Sequence, residues 1–267
     1  MHTTLATLIA RLESSSLSGT NVIRWGAPVP SFGDVLRSKV ATLGLNPSNR
    51  EFVDGSGEEL SGEERRFPTL SSLHIEAWSE VSALHLEEIV RSCREYFQEN
   101  PYSQWFGRLN KVISLTNSSY YGGIFRACHL DLIPYATSCK WNELKARQRS
   151  KLFEVSKDTL GRLLRGTPVR LLVLNGTSVV EKFSEIVDIN LKEERKPEWA
   201  LPRKNSSDVM GYAYTGEVCT VSGISLGHRV CVVGFNHNIQ GSFGVTQEVT
   251  QSIREWIGKL SQEVLKE

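Results

Sequence analysis

The sequence predicts an α/β fold: a short, mainly parallel sheet of four strands, covered by helices on both faces. Three observations carry this. Four apolar runs have the length of strands. Stretches of helical period lie between successive runs. Strands joined by helices pair in parallel, and a parallel sheet buries both its faces. With 267 residues, 40% hydrophobic and 23% charged, the chain has the balance of a soluble globular protein with ample core.

The elements follow in order. Residues 2–15 form a helix, with Leu5, Leu8, Ile9 and Leu12 on one face. Residues 19–34 hold Gly, Pro and Ser and are irregular, with Trp25 and Phe32 as anchors. The first strand spans 40–45 and ends in Gly44-Leu45-Asn46-Pro47-Ser48. A polar loop over 46–68 is long for a compact domain unless it has a function. Helices are expected at 69–76, 83–99 and 104–115. The second strand covers 123–133 and ends at Pro134. A basic helix spans 145–165. The third strand, 169–174, runs into Asn175-Gly176-Thr177-Ser178 and a helix over 179–183 that Thr177 or Ser178 can cap. Residues 188–228 form a polar, Gly-rich hairpin excursion around 212–221. The fourth strand, 229–235, ends in Gly234-Phe235-Asn236-His237-Asn238, and a helix over 246–265 follows. With no internal repeat and no linker, a single domain over 1–267 is expected, with 1–35 as its lead-in.

Charge is uneven. The net charge is +1, yet residues 51–64 carry six acids and no base, and residues 140–170 carry nine bases against three acids. The basic stretch suits either phosphate or a solvated helix face. Five cysteines without ligand-like spacing fit a reducing, cytoplasmic setting and suggest no metal site. No signal-peptide pattern and no apolar run of about 18 residues is present, so neither export nor a membrane partner is expected. No GxxxxGK[ST] or GxGxxG occurs, so no nucleotide cofactor is expected.

The two strand tips carry the chemistry. Open α/β sheets bind ligands at the carboxyl ends of their strands. Gly44 allows close backbone approach and Pro47 fixes the exit of the turn, so Asn46 is held at one tip and His237 at another.

These motifs resemble those of the uracil-DNA glycosylase superfamily over residues 20–265. Gly44-Leu45-Asn46-Pro47-Ser48 is similar to its first motif in the Asn form of the mismatch-specific and single-strand-selective branches. Gly234-Phe235-Asn236-His237-Asn238-Ile239-Gln240 is similar to its second motif, with His-Asn-Ile-Gln in place of the usual His-Pro-Ser-Pro. Asp131-Leu132-Ile133-Pro134 falls where the single-strand-selective branch reads the base with Asn-Leu-x-Pro. The resemblance implies one three-layer α/β/α sandwich that flips a nucleotide out of DNA and cuts its glycosidic bond.

On that resemblance Asn46 holds the attacking water, since the leaving group departs early and a positioned water suffices. His237 donates to the pyrimidine O2, where charge grows as the base leaves. Asp131 departs from the family's Asn. An amide serves both O4 and N3–H of uracil, whereas an ionised carboxylate only accepts and suits the exocyclic amine of cytosine. A cytosine-type base, modified and met in antiviral defence or in repair, is therefore the expected substrate. Leu45 adjoins the base, and Phe67 or Phe52 stacks on it. Ile239 is the apolar wedge; Ser48, Ser178, Asn238, Gln240 and Ser242 hold phosphates. No lysine lies in the motifs, so hydrolysis to an abasic site is expected without a lyase step. DNA is the expected partner, and the protein is expected to be a monomer. Three rivals stand: a uracil-excising repair glycosylase, a nucleoside or nucleotide hydrolase on the same sheet, and a catalytically silent nucleic-acid-binding module.

Overall fold

A computed structural model of the protein describes residues 1–99, 103–203, 207–240 and 245–266. The strands are β1 (Ser38–Gly44), β2 (Ser118–Ser119), β3 (Phe125–Asp131), β4 (Leu171–Asn175), β5 (Lys192–Leu201), β6 (Val209–Val221) and β7 (Ile224–Phe235). They form one mixed sheet in the order β2-β3-β1-β4-β7-β6-β5. The four expected strands are its inner part, β3-β1-β4-β7, and all pair in parallel. The expectation of a four-stranded sheet is corrected to seven. Two-residue β2 adds parallel to β3, while β6 and β5 extend the other edge antiparallel.

The helices are α1 (His2–Glu13), α2 (Ala83–Glu99), α3 (Ser103–Ile113), α4 (Ala146–Ser156), α5 (Thr159–Leu164), α6 (Thr177–Ser184) and α7 (Gln247–Val264). Alternate residues of β4 enter two separate cores, so both faces of the sheet are covered. Leu172 and Leu174 pack with Leu5 and Leu8 of α1 and Leu152 and Phe153 of α4. Leu171 and Val173 pack with Phe106 and Leu109 of α3 and Ile253 and Ile257 of α7.

Three expected helices differ. Residues 69–76 make only a turn: the Thr69 hydroxyl takes the backbone N–H of Ser72, and His74 adopts φ +55°, which ends the turn. The basic helix over 145–165 breaks into α4 and α5. The expected cap of α6 by Thr177 or Ser178 gives way to Gly176, whose φ of +98° makes the turn.

Parallel register brings the tips into line. Gly44 pairs with Asp131, Leu43 with Leu174, and Asn175 with Phe235. The carboxyl ends of four strands thus share one rim.

Candidate functional site

A cavity of about 760 Å³ opens on that rim. Its walls come from the turn after β1 (Gly44 to Asn49, and Glu51), the end of β3 (His129, Asp131), α3 (Trp105, Phe106), the segment Cys139 to Asn142, and the turns after β4 and β7. A cavity at the carboxyl ends of strands, lined by four aromatics and by many polar side chains, has the placement of a ligand site.

Asn46 is fixed from two sides. The chain past β1 stays paired with the chain past β3, since Leu132 N–H donates to the Gly44 carbonyl and Ile133 N–H to that of Leu45, at 3.1 and 2.9 Å. The Asn46 amide Nδ2 donates to the Pro47 carbonyl and to Thr137 Oγ1, both at 3.1 Å. Among the described residues nothing donates to its Oδ1. The side chain is therefore oriented by its nitrogen and free to accept at its oxygen, as holding a water requires.

Asp131 is 3% exposed and lines the same cavity, with Oδ1 3.4 Å from His129 Nε2. Gly44 makes room for this pair. A Cβ there would lie 2.4 Å from Asp131 Oδ1 and 2.9 Å from His129 Nε2. His129 therefore belongs to the site. Its ring is flanked by Phe106 and Phe32 at centroid distances of 5.3 and 5.7 Å.

Glu51 is a second acid on the cavity wall that sequence reasoning did not single out. It is 2% exposed, and its Oε2 accepts from the Tyr96 hydroxyl at 2.8 Å with Arg66 3.6 Å away. Burial pushes its carboxyl up to about 7; Arg66 and Tyr96 oppose the rise, and Asp131 adds to it.

Leu45, Ser48, Ser178, Asn238 and Gln240 all line the cavity, with Ser48, Ser178 and Asn238 exposed. Other expected residues lie elsewhere. His237 is 3% exposed, is absent from the cavity wall, and donates Nε2–H to the Trp199 carbonyl at 2.7 Å. Burial holds its imidazole below the ordinary value, against the pull of that carbonyl. A neutral imidazole that has given its proton to Trp199 has none for a departing base. Ile239 is 4% exposed within the core and does not protrude as a wedge. Phe52 and Phe67 are buried in the aromatic cluster around Tyr96 and face no ligand space. The aromatics on the wall are Phe32, Trp105, Phe106 and Trp141. Ser242 lies outside the described residues. Of the basic stretch, Lys140 alone lines the cavity among the described residues.

No protein-family model matches the chain, and no curated protein matches it.

Proposed function

We propose that the protein is a monofunctional DNA glycosylase of the uracil-DNA glycosylase type, with a three-layer α/β/α fold, that flips out a cytosine-type pyrimidine and hydrolyses its glycosidic bond. The observation that carries this is the presence of Asn46 and Asp131 on one aromatic-walled cavity, with the Asn46 Oδ1 free to accept. Asn46 holds the water whose oxygen bonds to C1′ of the sugar. The glycosidic electron pair leaves on the base nitrogen, which takes up, through solvent, the proton the water loses, and an abasic site remains. Asp131 accepts from the exocyclic amine and disfavours uracil O4. His237 becomes a prop for the strand edge. The volume of about 760 Å³ is generous for a pyrimidine and fits one with a bulky substituent.

The test is incubation with DNAs carrying plain and modified pyrimidines, alkaline cleavage at abasic sites and mass spectrometry of the released base. Release of a cytosine derivative, abolished by Asn46→Ala, supports the proposal. Rapid release of uracil with none of any cytosine derivative overturns the base assignment. The withdrawal of His237 from the cavity favours one other reading, a silent nucleic-acid-binding module. Tight, salt-sensitive DNA binding with no abasic sites would decide for it.

A further inference from the structure

Thr42 sits mid-strand in β1 between Ala41 and Leu43, where the apolar run would accept valine. It carries a hydroxyl instead, and that hydroxyl has two partners. Tyr120 Oη lies 2.5 Å from Thr42 Oγ1, and His129 Nδ1 lies 2.7 Å from it. Register makes the second contact possible, because Thr42 pairs with His129 across β1 and β3. The far nitrogen of the imidazole then faces Asp131 at 3.4 Å. Thr42 is 0%, Tyr120 7%, His129 4% and Asp131 3% exposed. Four polar groups thus run in a line from the core to the cavity wall.

Hydrogen counting gives the line a direction. Thr42 has one proton to donate and sits between two partners. Tyr120 Oη has no other hydrogen-bond partner among the described residues, so its O–H must donate to Thr42 or stay buried and unsatisfied, which costs roughly 1–3 kcal/mol. The Thr42 proton then goes to His129 Nδ1. A neutral imidazole with Nδ1 accepting carries its proton on Nε2, the nitrogen that lies 3.4 Å from Asp131 Oδ1. The opposite direction strands the Tyr120 proton and sets a bare Nε2 lone pair against a carboxylate oxygen.

We infer that Tyr120, Thr42 and His129 form a one-directional relay that holds Asp131 as a pure acceptor, so that the cavity selects a base edge presenting an N–H donor over one presenting a carbonyl. This rests on the proposed glycosylase reading for its substrate, but the relay itself does not. Asp131 lines the cavity while its Oδ1 faces His129. The three residues position Asp131 and touch no substrate themselves.

Two measurements on the whole chain test it. The first is the His129 tautomer, read from imidazole ¹⁵N shifts at neutral pH. An Nε2–H tautomer is expected in the native protein and in Thr42→Ser, with a tautomer mixture in Thr42→Val, which keeps the shape and removes the hydroxyl. A native Nδ1–H tautomer overturns the relay. The second is the ratio of cytosine-type to uracil release. Thr42→Val should lower it by about tenfold, within the range one base-edge contact supplies, while Thr42→Ser restores it. An unchanged ratio in Thr42→Val overturns the selectivity claim. If the native protein releases no base from any DNA, the glycosylase reading and the selectivity claim fall together, and the tautomer alone decides the relay.

Discussion

Glu51 and His237 are both buried titratable groups, and burial moves them in opposite directions. Glu51 titrates at about 7 in the fold, against 4.5 for the ordinary side chain. Between those values the folded state binds the proton more tightly than the unfolded chain. The contribution is fully present below pH 4.5 and is lost as pH rises toward 7. The whole shift corresponds to about 3 kcal/mol. His237 behaves oppositely, since burial lowers its folded value below 6.5. Its contribution is present above pH 6.5 and lost as pH falls. Glu51→Gln should therefore flatten the decline of denaturation midpoint between pH 4.5 and 7 and stabilise the protein at pH 8. Equal pH dependence in the variant and the native chain would refute the assignment. Gly44→Ala belongs at this scale too. Its Cβ would lie 2.4 Å from Asp131 Oδ1, so Asp131 or the turn must move. Loss of base selectivity with the fold retained by circular dichroism is the expected result.

At the scale of elements, the legible strands were those whose burial is written in their residues. Val40 to Leu43, Leu171 to Leu174 and Val230 to Val233 are nearly continuous apolar runs because both faces of a parallel strand are covered. β5 was not legible as a strand. Its sequence, Lys-Glu-Glu-Arg-Lys-Pro-Glu-Trp-Ala-Leu, is exposed along most of its length, and it contains Pro197, as an edge strand tolerates. That gap explains the largest misplacement in the site. The Trp199 carbonyl on β5 takes the His237 proton, so a histidine at an apparently free strand tip is in fact committed. Asn46, Asp131 and Leu45 were legible because they sit in or beside turns whose position follows from the strands. Phe32, Phe106 and Glu51 reach the cavity only through packing between distant elements, which no local pattern encodes. The β5–β6 pairing also depends on Gly211. A Cβ there would lie 2.2 Å from the Trp199 Cβ and 2.7 Å from the Lys196 carbonyl. Gly211→Ala should cost about 1–3 kcal/mol by overpacking, measured by urea denaturation. A change below about 0.5 kcal/mol, the scale of an ordinary surface substitution, would show that this edge gives way freely.

For the whole molecule, charge decides how DNA would be met. The net charge of +1 gives little long-range attraction, so affinity must come from a few local contacts. Three of the nine bases over 140–170, Lys151, Lys157 and Arg162, are held in bonds within the fold. Asp158 binds Arg11 and Arg162 at 2.8 and 2.7 Å, Glu154 binds Lys157 at 2.8 Å, and Lys151 donates to the Ser18 carbonyl at 2.9 Å. Of these, the Arg11–Asp158 and Lys151–Ser18 bonds tie the stretch to α1 and to the chain that follows it. Lys140 is the cation of that stretch at the cavity mouth. DNA affinity should therefore fall with salt along a shallow log–log slope, about −2 to −4, given about −0.9 per phosphate neutralised. Lys140→Gln should make the slope shallower by about 0.9, one phosphate contact. Lys151→Gln should leave the slope alone and lower the thermal midpoint instead. A slope near −8, or one that Lys151→Gln changes as much as Lys140→Gln does, would mean that DNA lies along α4 rather than across the strand tips, and the cavity would then not be where the protein meets its substrate.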